Sequence, residues 1–411
     1  MRLKQRSPIS YRLAITGALL GGIAPSFAQN SPKLDKLEKE NQELRMRLDS
    51  LEQVAKKEGL LGSTGASMPV KALSSTTLSG FVSASYFYDT SNPPGGTSPG
   101  YLWNRKSDSF ALNKVKLTLA SPPVERSGDK YDVAYRTSLI FGQDAAIVNS
   151  SSSTVGFENL REAYIEMNVP IGTGLNVRAG ELISLLNYES GDGGAANDNY
   201  SQGYQWFYTG NGPAAGAQVG YTFTDWLDVK VRLQNGMYAG PVDNNNSKTI
   251  VVALGIKPCE PVWMSIVGFT GRENNSISVF QGISLLGGAK FAENWSVGTE
   301  LDYFTFKISG HTSPVWSTGA WLSYAFTPKV GLAVRGEFLS DRDGVNASGD
   351  PLGFPLNSGQ DLTSVALTLN YKPLPQIKIQ PEIRYDHTSL DKGYGKQYDR
   401  FLIGVGVSYL F

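Results

Sequence analysis

The sequence predicts an all-β fold, a transmembrane antiparallel β-barrel of about sixteen strands preceded by a short periplasmic α-helical coiled coil. Three observations carry this expectation. From Leu78 onward, segments of about ten residues alternate apolar and polar side chains with period two. Short and long polar connections alternate between them, and aromatic residues crowd beside the short ones. Charges are sparse in the same region, and after the N-terminus no apolar run reaches the ~18 residues that a membrane helix needs.

Composition supports the same reading. The 411 residues carry 37 basic and 37 acidic side chains, 45 Gly and a single Cys. The zero balance is a sum of unlike parts. Arg2, Lys4, Arg6 and Arg12 stand alone at the N-terminus, residues 29–58 hold seven charges of each sign, and the remainder is slightly acidic. A mean hydropathy of −0.21 excludes a helical membrane bundle but suits a barrel, whose strands turn one face to lipid and one to water. A neutral balance gives no footprint for nucleic acid.

Residues 1–28 read as a secretory signal peptide: a basic start, the apolar stretch Leu13–Ala24, and the small-x-small site Ser26-Phe27-Ala28. Residues 29–58 form a coiled coil. Leu34, Leu37, Asn41, Leu44, Leu48 and Leu51 follow the 3-4 spacing of a and d positions, and Asn41 at an a position fixes register. The seam encodes self-association. Residues 59–77, rich in Gly, Ser and Thr, are a flexible linker to the barrel at 78–411.

Turn spacing predicts strands starting near 78, 109, 131, 160, 175, 214, 226, 249, 261, 279, 295, 315, 330, 361, 377 and 400. The clearest has Ile377, Ile379, Pro381, Ile383 and Tyr385 alternating with Lys378, Gln380, Glu382, Arg384 and Asp386. Short turns fall at Thr224-Asp225, 257–261, 292–294, 327–329 and 372–376; long loops fall at 90–108, 142–157, 185–213, 236–248, 340–360 and 387–398. Tyr221, Phe223, Trp226, Phe291, Trp295, Tyr324, Phe326, Tyr371, Tyr409 and Phe411 sit by the short turns as an interfacial girdle. A strand ending in Tyr409 and Phe411 resembles the C-terminal signal of bacterial outer-membrane proteins.

A barrel of this size encloses water. The polar faces place Lys114, Lys116, Arg136, Glu166, Arg178, Lys230, Arg232, Arg335, Glu337, Glu382 and Arg384 on its wall. Lys257, Lys290, Lys378, Arg400, Asp132, Glu162, Asp228, Glu300, Asp302 and Asp386 join them, a mixed wall with a slight excess of cations. The longest loop, 185–213, carries Tyr188, Glu189, Asp192, Asp198 and Tyr200, with Tyr204 and Trp206. Folded inward, its acids would face Lys114, Lys116, Arg136 and Arg178 across a constriction. The alternative is a loop that projects outward and caps the mouth.

Between Leu160 and Thr249 the chain resembles the beta-barrel porin-2 family, OmpL-like. The resemblance rests on LREAYIEMNVP (160–170), LNVRAGELISLLNYES (175–190) and NYSQGYQWFY (199–208), followed by Asn235-Gly236 and the Asp-Asn cluster at 243–246. Gly180-Glu181-Leu182 departs from the Gly-Lys-Phe-like step expected there. The resemblance implies a porin in the outer membrane of a Gram-negative bacterium, a channel for passive diffusion of small hydrophilic solutes. A coil joined to a barrel is also similar in layout to the phosphate-selective porins, which implies a homo-oligomer, with a trimer favoured. A structural anchor or adhesin, its coil tied to the cell wall or to partners, is the alternative function.

Neither an enzyme nor a cofactor is expected. His311 lies in Gly-His-Thr-Ser-Pro and His387 follows Asp386, neither with a nucleophile pattern around it. Two distant His and the lone Cys259 make no metal-ligand spacing.

Overall fold

The computed structural model describes residues 39, 42–47, 75–150, 155–237, 241–273, 277–346, 354 and 358–411. The chain forms two units, residues 1–74 and 75–411. In the first, residues 39 and 42–47 are helical, Leu44 is exposed, and Arg47 donates to Glu43 at 2.9 Å. The signal peptide, the linker as far as residue 74, and the seam positions Leu34, Leu37, Asn41, Leu48 and Leu51 lie outside the described residues.

The second unit is a barrel of sixteen strands. They are β1 Thr77–Asp89, β2 Ser109–Ala120, β3 Asp132–Phe141, β4 Leu160–Val169, β5 Leu175–Leu182, β6 Ala214–Thr224, β7 Leu227–Gln234 and β8 Thr249–Cys259. There follow β9 Val262–Gly271, β10 Ile277–Phe291, β11 Trp295–Ile308, β12 His311–Thr327, β13 Val330–Asp341, β14 Gln360–Leu374, β15 Ile377–Thr388 and β16 Asp399–Leu410. Each strand pairs antiparallel with its chain neighbours, and β1 closes on β16 from Phe81↔Leu410 to Asp89↔Leu402. Closure leaves no open edge in lipid, where an unpaired backbone group is costly.

No strand starts more than four residues from its expected position. The connections depart more. The β2–β3 connection on the turn side is long, residues 121–131, whereas the opposite β11–β12 connection is only Ser309 and Gly310. Length moves from loop to strand there, since β10, β11 and β12 run to 15, 14 and 17 residues while β5 and β7 have 8. The long connections at 340–360 and 387–398 also begin one to two residues inside β13 and β15.

Alternation sorts the faces. On β15, Lys378, Gln380, Glu382, Arg384 and Asp386 are buried inward while Pro381 and Ile383 are exposed outward. On β8, Thr249, Val251 and Ala253 face in and Ile250 and Val252 face out. The aromatic band on the turn side is continuous from β10 to β12. Phe291 and Trp295 stack at 6.1 Å, Trp295 meets Tyr324 at 4.6 Å, and Tyr324 meets Phe326 at 4.9 Å.

Candidate functional site

The loop between β5 and β6, residues 183–213, reaches strands that lie eight places away in a ring of sixteen, so it crosses the lumen. Three wall glutamates on alternate strands accept its backbone N–H groups. Glu300 on β11 takes Tyr188 N at 2.7 Å, Glu337 on β13 takes Gln205 N at 3.2 Å, and Glu382 on β15 takes Tyr200 N at 2.8 Å and Ser201 N at 3.1 Å. The wall donates in return, with Arg384 to Gln202 O at 2.8 Å, Lys378 to Asn197 O at 2.6 Å and Asn370 to Asp198 O at 2.8 Å. A loop backbone buried away from water must find such partners, and this wall supplies them.

Glu189 reaches across to the far wall. It accepts Arg335 Nη1 at 2.9 Å and Trp321 Nε1 at 3.1 Å, and also closes its own loop through Gly203 N at 2.9 Å. The short helix Tyr204–Tyr208 then docks against β12 and β13. Gln205 Nε2 and Thr209 Oγ1 donate to Asp302 at 2.8 and 2.6 Å.

Wall glycines make room for the loop. A Cβ on Gly406 would lie 1.9 Å from the Tyr200 ring, one on Gly298 would lie 2.0 Å from the Tyr188 ring, and one on Gly319 would lie 2.2 Å from the Gln205 amide. These three glycines are sockets in β16, β11 and β12.

Two apolar fillings occupy much of the loop-side lumen. One joins Tyr101, Leu102 and Trp103 of the first loop, Tyr200, Tyr204 and Tyr208 of the crossing loop, Phe354 and Tyr394 to wall residues such as Phe87, Ile140 and Leu402. Burial pushes the Tyr204 phenol up to about 12 and the Tyr394 phenol well above its usual value, so both are neutral and share a hydroxyl bond at 2.7 Å. Beneath them runs a chain of enclosed ion pairs, Asp89–Arg400 at 3.1 Å, Arg400–Asp386 at 2.8 Å and Asp386–Arg384 at 2.6 Å. The Arg400 and Arg384 guanidiniums lie 4.1 Å from the Tyr394 ring centre and 4.6 Å from that of Tyr204. The other filling packs Leu186 and Met237 on Val251, Val267, Phe269, Phe280, Phe304 and Val315 of β8–β12.

The remaining arc is polar. A cavity of about 310 Å³ lies against β2–β7, lined by Lys116, Arg136, Arg161, Glu162, Tyr164, Arg178, Leu182, Ile183, Ser190, Asp192 and Arg232. Lys116 meets loop Asp192 at 2.7 Å, Arg136 meets Glu162 at 2.6 Å, and Arg178 meets Glu166 at 3.0 Å. Lys230 meets Asp228 at 2.8 Å. A second cavity of about 290 Å³ is lined by Tyr188, Glu189, Asn197, Asp198, Asn199, Trp263, Trp321 and Ser323.

The eleven wall residues named from the sequence therefore fall into groups with different surroundings. Arg335, Glu337, Glu382 and Arg384 face inward but are sealed beneath the crossing loop. Lys114 is sealed under the first two loops, 3.3 Å from the Trp103 ring centre and 3.6 Å from Asp144; burial raises the Asp144 carboxyl above its ordinary value despite that lysine. Lys116, Arg136, Glu166, Arg178, Lys230 and Arg232 share the polar arc. Of the loop acids expected to face the basic wall, Asp192 meets Lys116, whereas Glu189 turns to Arg335; Lys114 is held by Asp144 instead.

Arg161 was not legible. Strict alternation from Glu162 points it at lipid, but the register slips between Ser138↔Glu162 and Leu139↔Leu160, and both Arg161 and Glu162 are buried inward. The available signal was its charge, which lipid would not tolerate. Gln202 and Gln205, which tie the loop to itself and to Asp302, likewise gave no pattern.

The family model described as "Putative beta-barrel porin-2, OmpL-like" matches residues 75–411. No curated protein matches the chain by sequence. Among solved structures, OprB of Pseudomonas putida aligns with a TM-score of 0.57 at 10% identity, covering 83% of this chain and 96% of that one. An anion-selective porin from Comamonas acidovorans aligns with a TM-score of 0.54 at 10% identity, over 82% and 99%. In-vitro folded OmpT of Vibrio cholerae, in its trimer form, aligns with a TM-score of 0.53 at 11% identity, over 82% and 99%. At these identities the likeness is one of fold.

Proposed function

The chain belongs to the putative beta-barrel porin-2, OmpL-like family and is an outer-membrane channel, and we propose that loop 183–213 sets its constriction. The observation that carries the proposal is the path of that loop, clipped by Glu300, Glu337 and Glu382 to strands across the lumen. On this reading Tyr188, Glu189, Asp198 and Tyr200 anchor the loop, and Asp192 stands at its free edge. Lys116, Arg136, Arg178, Lys230 and Arg232 with Glu162 and Glu166 form the opposing wall of the water path. Opposite charges across a narrow polar gap create a transverse field on any solute that passes. Arg335, Glu337, Glu382 and Arg384 hold the loop in place.

Small hydrophilic solutes would cross passively beside the Asp192–Lys116 ion pair, along the β3–β7 wall. Homo-oligomers are the expected state, supported by the heptad seam of residues 34–51, and a trimer is favoured by the trimer form of the similarly folded Vibrio protein. The coil would stand in the periplasm.

Planar-bilayer recording tests the proposal. Deleting residues 190–205 should raise single-channel conductance at least about twofold, as the crossing segment is removed; an unchanged value would sink it. Liposome swelling with sugars or amino acids separates a channel from a structural anchor, which would give no flux.

A further inference from the structure

Charge on the polar arc does not balance. Lys116, Arg136 and Arg178 each have a carboxylate partner within 3.0 Å. Arg161 and Arg232 line the same cavity, are 8% and 4% exposed, and make no ion pair among the described residues. Among the described residues Arg232 donates only to neutral acceptors, Nε and Nη2 to the Gln218 amide oxygen at 3.1 and 2.8 Å and Nη1 to Ile183 O at 2.8 Å. Among the described residues Arg161 makes one bond, from Nη1 to Val148 O. A guanidinium carries five N–H donors, so both have capacity to spare. Arg178 adds to it, because its Nε is buried without a partner among the described residues.

The carboxylates nearest Arg161, Asp192 and Glu162, are already paired with Lys116 and Arg136, so the arc keeps an excess of buried positive charge, which is expensive unless an anion offsets it. Two such cations beside a cavity of about 310 Å³ call for two negative charges. Guanidinium forks match oxyanions in bidentate geometry. The volume is at the low end of small-molecule sites, room for a solute of a few carbons. A purely structural role accounts for less, since a neutral glutamine in place of Arg232 could still bond Gln218 and Ile183 O at no charge penalty.

We propose that the cavity between loop residue Asp192 and strands β3–β7 is a binding subsite for a small organic dicarboxylate, one carboxylate taken by Arg232 with Arg178 and the other by Arg161. This rests on the channel reading and adds a preferred solute to it. Permeation past such a site is saturable, unlike free diffusion. Dissociation stays fast because Asp192 lines the same cavity and competes with a resident anion for Lys116 and Arg161.

The test is bilayer recording in potassium chloride with succinate as probe and butane-1,4-diol as its uncharged counterpart. Succinate should reduce chloride current saturably while the diol has no effect. Arg232→Gln and Arg161→Gln should each weaken that block about tenfold, the loss of one charged hydrogen-bond partner. Both variants should keep heat-modifiable migration on gels, which reports a folded barrel. A conducting channel whose chloride current ignores succinate, or whose block survives both substitutions, overturns the subsite and leaves the channel intact. Inorganic phosphate blocking as well as succinate also overturns the proposal, since the site would then read charge and not two separated carboxylates. Absence of any conductance would instead strike the channel reading. Calorimetric binding of succinate to the detergent-solubilised protein then decides the subsite alone: binding lost in Arg232→Gln upholds it, and no binding to the parent protein overturns it.

Discussion

Glu189 of the crossing loop and Arg335 of β13 meet at 2.9 Å, both sealed from solvent, although β13 lies on the far side of the barrel from the strands that bear the loop. One ion pair thus bridges the lumen. Arg335 also holds Glu337 on its own strand at 2.9 Å, so it satisfies the loop and the wall together.

Removing Arg335 leaves both Glu189 and Glu337 buried without their cation. Arg335→Met should cost roughly 3–5 kcal/mol, the range for breaking a buried pair. We expect a lower midpoint of thermal unfolding in detergent and a noisier, larger single-channel conductance. Glu189→Gln with Arg335→Met should cost less than the two single losses summed, because Glu189 is then no longer a stranded charge.

The wall sockets can be filled to expel the loop without touching a charge. Gly406→Leu would drive atoms into the Tyr200 ring and Gly298→Leu into the Tyr188 ring, where even a Cβ would come within 1.9 and 2.0 Å. Both variants should conduct more than the parent. Gly336→Ala is the control, since nothing lies within 4 Å of its Cβ position, and its conductance should match the parent protein.

Alkali should loosen the external filling. Burial raises the Tyr204 phenol from 10.0 to about 12, so the folded state disfavours tyrosinate more than the unfolded state does. The stability this group contributes is complete below pH 10 and is lost as pH rises through about 12. Intrinsic tyrosine fluorescence and conductance should therefore hold steady from pH 6 to about pH 10 and change above it. Tyr204→Phe should lessen the alkaline change without abolishing it, because Tyr208 and Tyr394 remain buried, at a cost of about 1 kcal/mol for the lost hydroxyl bond.

The coil and the barrel are separable in this scheme. Deleting residues 29–58 should leave single-channel conductance unchanged while chemically crosslinked trimers give way to monomers. Trimers that persist would assign association to the barrel wall alone.

Much of the barrel was legible because lipid imposes a strict code. Outward positions such as Ile383 and Phe401 must be apolar, and inward ones such as Arg384 and Arg400 are free to be charged, so period and turn spacing located the strands. Contacts across the lumen follow no such period. That Glu382 would hold the Tyr200 amide, or that Asp144 would claim Lys114, depends on partners 182 and 30 residues apart in the chain. Arg161 was lost for a local reason, a register slip that breaks the alternation at one step. Gly298, Gly319 and Gly406 read as ordinary strand glycines until the side chains seated on them are seen.

The seam between β1 and β16 has a further consequence, for the order of assembly. Ser83 and Ser408 bond across it at 3.2 Å from positions 325 apart in the chain, whereas most other strand pairs are near neighbours in sequence. Hairpins can therefore form early and cheaply, but the ring is completed only when the most distant segments meet, which carries the greatest loop-closure entropy. Until then two strand edges stay bare and sticky. A cell making this protein must shield those edges during export, and the closing step is the one most exposed to failure when synthesis outruns insertion.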